Sequence, residues 1–159
     1  MLVPEAENRF REGLQHLARG QAREALPFII AAVDVQTGAD ATAHCQATYL
    51  SYKGLCLCLT RADVRSGVQL CRQASKMDPC HPDIWRNLGS VTLMVGRRAE
   101  AYRAFQAGLR VQPDHPGIVR DLRLMGIRSE PALPSLPRGN PINVVLGRLG
   151  RLFRSRASV

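Results

Sequence analysis

The stretch WRNLGSVTLMVGRRAEAYRAF (residues 85–105) holds two apolar helical periods separated by a glycine turn. One amphipathic helix explains Trp85 and Leu88. It does not explain Gly89 inside the first apolar run, Gly96 seven residues later, and a fresh apolar period ending at Phe105. Two short antiparallel helices joined at Val95-Gly96-Arg97 explain all of it, because glycine supplies the backbone conformations that tight turns need. Small residues at Gly89 and Ala101 then let the two helices cross closely. Trp85, Leu88 and Phe105 fill the seam, and Pro113 ends the second helix because proline cannot continue the hydrogen-bond ladder.

The same offsets recur upstream. Gly13 is followed twelve residues later by Ala25, then Ile29 and Ala32, and Gly54 is followed thirteen residues later by Gly67, then Cys71, Ala74 and Pro79. In the third unit Gly89 is followed twelve residues later by Ala101, then Phe105, Gly108 and Pro113. Small, large apolar and small thus appear in register three times, the mark of a repeat architecture. The coarse reading places helices at about 5–18, 22–36, 41–60, 63–76, 82–95, 98–111 and 115–127. The last has Asp114 as its expected N-cap, Pro116 in its first turn, and an apolar stripe of Ile118, Val119, Leu122 and Met125 that suits a capping helix.

These units resemble tetratricopeptide repeats, whose pattern is Trp-x2-Leu-Gly-x2-Tyr, Ala-x3-Phe-x2-Ala and Pro over about 34 residues. Trp85, Leu88, Gly89, Ala101, Phe105 and Pro113 meet it, with Thr92 where Tyr is usual and Gly108 where Ala is usual. The second unit keeps Gly54, Ala74 and Pro79 with one extra residue before its second helix. The first keeps Gly13, Ala25 and Ala32 and lacks the closing proline. The resemblance covers residues 5–115. It implies an all-α, right-handed solenoid of three helix pairs plus a capping helix, with residues 5–128 as one body.

Composition bounds the rest. At 159 residues and 45% apolar content the chain can bury a core without disulfide or metal staples. Cys45, Cys56, Cys58, Cys71 and Cys80 are odd in number, and four lie in predicted helices, which points to buried reduced thiols in a cytoplasmic setting. No C-x-x-C or H-x3-H spacing supports a metal site from His44, Cys45, Cys71, Cys80 and His81. The opening MLVPEAENRFREGL (1–14) has no apolar run, so no secretory leader is expected. No histidine has a recurring carboxylate or hydroxyl partner, and no glycine run cradles a phosphate. No catalytic set or cofactor motif emerges, and the expected protein is not an enzyme.

A surface must therefore do the work. In the resembled family the first helix of each unit lines a concave groove that binds extended or helical peptides. Carried over unit by unit, the groove residues are Phe10, Arg11, Leu14 and Leu17, then Ser51, Tyr52, Leu55 and Cys58, then Arg86, Asn87, Ser90, Leu93 and Met94. Some relatives hold a C-terminal carboxylate with a Lys/Asn/Arg clamp. Arg86 and Asn87 fall near clamp positions, but Phe10 and Arg11 replace the Lys and Asn of the first unit. The expected function is an interaction module: an adaptor, an assembly factor, or a chaperone-like protein of a size similar to bacterial secretion chaperones.

The net charge of +9 is uneven: residues 129–159 carry five basic and one acidic side chain, against four and five over residues 1–39. A proline-rich strap at 129–141 sets Pro131, Pro134 and Pro137 on one edge of a polyproline helix. Beyond it, 142–159 forms a basic amphipathic tail whose Ile142, Val145, Leu146, Leu149, Leu152 and Phe153 follow the helical period. Gly147 and Gly150 weaken that helix by about 1 kcal/mol each, so it needs a surface. A partner protein or the solenoid itself is preferred. An anionic membrane is the competing surface and would make the protein membrane-associated. Nucleic acid is disfavoured, because few aromatics accompany the arginines.

Overall fold

The computed structural model describes residues 4–37 and 43–126. They form seven helices: α1 (Pro4–Ala18), α2 (Ala22–Thr37), α3 (Ala43–Thr60), α4 (Val64–Met77), α5 (Pro82–Met94), α6 (Arg98–Val111) and α7 (Pro116–Met125). Each expected helix is present, with ends shifted by one or two residues. The strap at 129–141 and the tail carrying Ile142 to Phe153 lie outside the described residues. No helix among the described residues is long and apolar enough to cross a membrane.

Consecutive helices pair as α1 with α2, α3 with α4 and α5 with α6, and α3 also packs on α2 and α5. The residues that set the repeat make these contacts. A Cβ on Gly13 would run into the Ile29 side chain, and one on Gly89 into the Phe105 ring. Ile29 and Phe105 are fully buried. The middle unit is tighter still, for its glycines meet backbone to backbone. A Cβ on Gly54 would lie 2.6 Å from the Gly67 carbonyl oxygen, and one on Gly67 would lie 2.7 Å from that of Gly54.

Helix α3 is buried on two sides, which explains how Cys56 and Cys58, pointing about 200° apart, are both fully buried. Cys56 joins the cluster of Phe10, Ile29 and Tyr49, whereas Cys58 joins Val68, Cys71, Leu88 and Val91. Burial pushes the Cys56 thiol up to about 12 and raises those of Cys58 and Cys71 too. These groups pack as small apolar side chains rather than as nucleophiles.

The extra residue of the second unit lies in its turn. In the first and third turns the left-handed place, seven residues after the crossing glycine, is held by Gly20 (φ 76°) and Gly96 (φ 78°). In the second it is Arg61 (φ 56°). The chain then passes Ala62 to Asp63, whose carboxylate accepts the Ser66 N–H at 2.9 Å and caps α4. A non-glycine residue in this region costs about 1–2 kcal/mol, and glycine returns part of that through its freer unfolded chain. Arg61→Gly is therefore expected to stabilise the protein by about 0.5–1 kcal/mol. Thermal denaturation checks this, and a lower melting temperature than wild type contradicts it.

Helix α7 is more than a terminal cap. Pro79, His81, Pro82, Ile84, Arg86 and Leu88 recur 34 residues later as Pro113, His115, Pro116, Ile118, Arg120 and Leu122. It is the first helix of a fourth unit, with Arg123 standing where Gly13, Gly54 and Gly89 stand. An arginine there does not permit the close crossing that a second helix needs, so α7 suits the end of a stack. Its cap also differs from expectation. Residue His115, not Asp114, precedes the first helical residue, and its Nδ1 accepts the Ile118 N–H at 3.2 Å while its Nε2 lies 3.2 Å from the Asp83 carboxylate. The buried His115 imidazole thus takes the capping place expected of Asp114.

Candidate functional site: the face of the first helices

The expected groove residues lie on α1, α3 and α5, and the structure divides them into two groups. Phe10, Ser51 and Asn87 are at most 6% exposed. Buried so, they offer a partner almost no surface, and neither does Cys58, which is fully buried. Their neighbours in the next unit bury them by a regular rule: the residue three before the crossing position meets the residue two before it in the following unit. Phe10 packs edge-on against the Tyr52 ring at 5.3 Å. The Asn87 amide donates to the Ser51 hydroxyl at 3.1 Å. The Arg86 guanidinium donates to the Asp121 carboxylate at 2.9 Å. One seam position is thus filled by an aromatic pair, a neutral hydrogen bond and an ion pair in succession.

The polar groups of this face are consequently engaged with one another. Arg11 lies 3.5 Å from Glu7, and Glu7 also accepts the Tyr49 hydroxyl at 3.0 Å. Burial, followed by the nearby Asp83 carboxylate, pushes the Tyr52 hydroxyl up to about 12, although Arg86 and Asn87 pull the other way. Tyr52 therefore stays a neutral, half-buried phenol near neutral pH. Asp121 and Asp83, which occupy this network from α7 and the start of α5, were missed by sequence reasoning. The 34-residue recurrence gives Asp121 the register of Asn87, the position that meets the preceding unit, and is the signal that finds it.

What remains accessible is aliphatic. Leu14, Leu17, Leu55 and Leu93 are half-buried, as is Ser90, and Met94 is 48% exposed. Leu59 and Leu124, also missed, are 44% and 76% exposed. Leu14, Leu55, Ser90 and Leu124 each follow the crossing position by one residue, and Leu59 and Met94 come one helical turn later on the same face. They form a row along the first helices, with the closed polar pairs beside it.

Comparison with known proteins agrees with this geometry. No family model matches the sequence, and no curated protein matches it. Solved structures do. The TPR domain of Sgt2 from Aspergillus fumigatus gives a TM-score of 0.61 at 19% identity, covering 77% of this chain and 78% of that one. YrrB, a TPR protein with an unusual peptide-binding site, gives 0.56 at 18% identity over 76% of this chain and 58% of that one, so this chain spans little more than half of YrrB's length. The first TPR of Spaghetti (RPAP3), bound to the HSP90 peptide SRMEEVD, gives 0.57 at 13% identity over 76% of this chain and 90% of that one. Helix pairing, the glycine crossings, the recurring seam and these likenesses agree: the chain has the tetratricopeptide-repeat fold.

Proposed function

We propose that the chain is a non-catalytic interaction module, an adaptor or chaperone-like protein, that holds an internal aliphatic segment of a protein partner along the first-helix face. The observation that carries this is the row in which Leu59, Met94 and Leu124 are exposed and Leu14 and Leu55, half-buried against the core, stand in register with them. Apolar burial supplies the affinity of such a face, and accessible apolar rows rimmed by polar groups mark interaction sites. The peptide-bound TPR structure of Spaghetti supports a peptide-like partner. The buried thiols of Cys56, Cys58 and Cys71 suit a reducing, cytoplasmic setting.

The chemistry of the partner follows from the closed polar pairs. A C-terminal carboxylate needs free cations and amides, but Arg86 is held by Asp121, Asn87 by Ser51, and Arg11 lies against Glu7. The acidic peptide SRMEEVD is therefore expected to bind this chain no more tightly than about 1 mM, which corresponds to about −4 kcal/mol. Asp121→Ala frees the Arg86 guanidinium and is expected to strengthen that binding about tenfold, as a charge-assisted contact does. Fluorescence anisotropy with the labelled peptide measures both. Micromolar binding to the wild type would show that the cations are available after all.

The basic tail is assigned to the same activity. Its stripe of Ile142, Val145, Leu146, Leu149, Leu152 and Phe153 is proposed to dock on a protein surface rather than on lipid. Sedimentation with anionic liposomes, comparing the full chain with one ending at Ser129, separates the two. Tail-dependent pelleting abolished by salt would assign the tail to a membrane instead.

A further inference from the structure

A hollow of about 420 Å³ opens between the first two turns, lined among others by Gly20, Arg23, Glu24, Leu59, Thr60 and Arg61. Its two arginines differ from six that are paired elsewhere among the described residues. The side chains of Arg9, Arg11, Arg72, Arg86, Arg97 and Arg120 each lie within 4 Å of a carboxylate. Arg23 and Arg61 have no ion-pair or side-chain hydrogen-bond partner among the described residues, and both are exposed. The Thr60 hydroxyl is turned inward, bonded to the carbonyl oxygens of Cys56 and Leu57 at 2.8 and 3.3 Å. Two unpaired guanidinium groups and one carboxylate, Glu24, thus border the hollow together with the 44%-exposed Leu59.

We infer that this hollow is a second docking site, one that takes a single carboxylate of a partner protein flanked by aliphatic side chains. Charge complementarity selects a carboxylate, since Arg23 and Arg61 both line the hollow and a guanidinium binds a carboxylate through its own planar fork of N–H donors. Leu59 receives the aliphatic neighbour. Glu24 sets the limit on charge: it repels a second anion, so the site favours one acid beside apolar residues over a polyanion such as nucleic acid. Backbone conformation adds to the case. Arg61 occupies a left-handed position that Gly20 and Gly96 fill in the other two turns. The sequence thus keeps a guanidinium where a glycine is conformationally easier. Through Leu59 the hollow borders the end of the aliphatic row, but its recognition of acid does not depend on that row.

Amide chemical shifts of the full chain, titrated with the blocked tripeptide acetyl-Leu-Asp-Leu-amide, test the site. Shifts concentrated at residues 20–24 and 59–61 are expected, with at least tenfold weaker binding after Arg23→Gln and Arg61→Gln together. Arg61→Gly, which preserves the turn, is expected to weaken binding as well. Met94→Asp, placed in the aliphatic row, is expected to leave this titration unchanged, so failure here and failure of the groove reading are told apart. Absence of shifts at 20 mM peptide (roughly −2 kcal/mol) overturns the inference, as do equal binding by the double variant and equal binding of acetyl-Leu-Asn-Leu-amide. Shifts produced equally by inorganic phosphate would identify a general anion site and also overturn it.

Discussion

Gly67→Ala is expected to lower the melting temperature by about 10 °C, and Gly54→Ala by a similar amount. A Cβ at Gly67 would stand 2.6 Å from the Cys58 sulfur and 2.7 Å from the Gly54 carbonyl oxygen; at Gly54 it would stand 2.6 Å from the Gly67 carbonyl oxygen and 2.7 Å from the Cys71 sulfur. A flexible side chain could rotate away, but a helix carbonyl cannot, and both sulfurs are buried. Helices α3 and α4 must separate, at a cost above the usual 1–3 kcal/mol of overpacking, so about 4 kcal/mol. The better helix propensity of alanine returns about 1 kcal/mol. The net loss of about 3 kcal/mol gives the stated shift for a chain of this size. Gly96→Ala supplies the contrast, since a Cβ there meets nothing within 4 Å. Its left-handed backbone costs only about 1–2 kcal/mol. If Gly96→Ala proves as damaging as Gly67→Ala, the backbone crossing is wrong.

Phe105→Ala is expected to cost about 3–5 kcal/mol, the range for a fully buried phenylalanine. The ring is 0% exposed and occupies the space that a side chain on Gly89 would need. Removing it leaves a cavity on the seam between α5 and α6 rather than at a rim where the chain can collapse. The same contact makes a sharper claim. Gly89→Ala alone runs into the ring, whereas Gly89→Ala with Phe105→Leu gives the new methyl group room. A double-mutant cycle is expected to show coupling of at least about 1 kcal/mol in the favourable direction, as for residues in direct contact. Additive losses would contradict the packing described for the third unit.

Much of the fold was legible because the repeat is written in side-chain size. The placement of Gly13, Gly54 and Gly89 and of Ile29, Cys71 and Phe105 follows from sterics within one helix pair, whose residues are close in sequence. The second turn was less legible. Sequence reading counted an extra residue there, but only the backbone shows that Arg61 takes the glycine's place and that Asp63 caps α4. The stripe of α7 alone gives a capping helix; compared with α5, the recurrence from His81 to His115 also gives it the register of a fourth first helix. The site was legible in register but not in accessibility. Whether Phe10, Ser51 or Asn87 is buried depends on Tyr52, Asn87 or Ser51 in an adjoining unit, about 36–42 residues away. Such contacts between units leave no local periodicity. For the same reason the sequence puts Arg86 near a clamp position without showing the Asp121 carboxylate 2.9 Å from it.

Site-specific photo-crosslinking tests the central claim, that the first-helix face holds a protein partner, most directly. A benzophenone side chain is placed in turn at Leu55, Leu59 and Met94 on that face, and at Gln69 and Arg103 on the second helices, in the full chain within its native cells. The expected result is a shared polypeptide adduct from Leu55, Leu59 and Met94, with crosslinked peptides of aliphatic, internal sequence, and none from Gln69 or Arg103. Adducts formed only from Gln69 and Arg103, or none from the three first-helix positions, would contradict it.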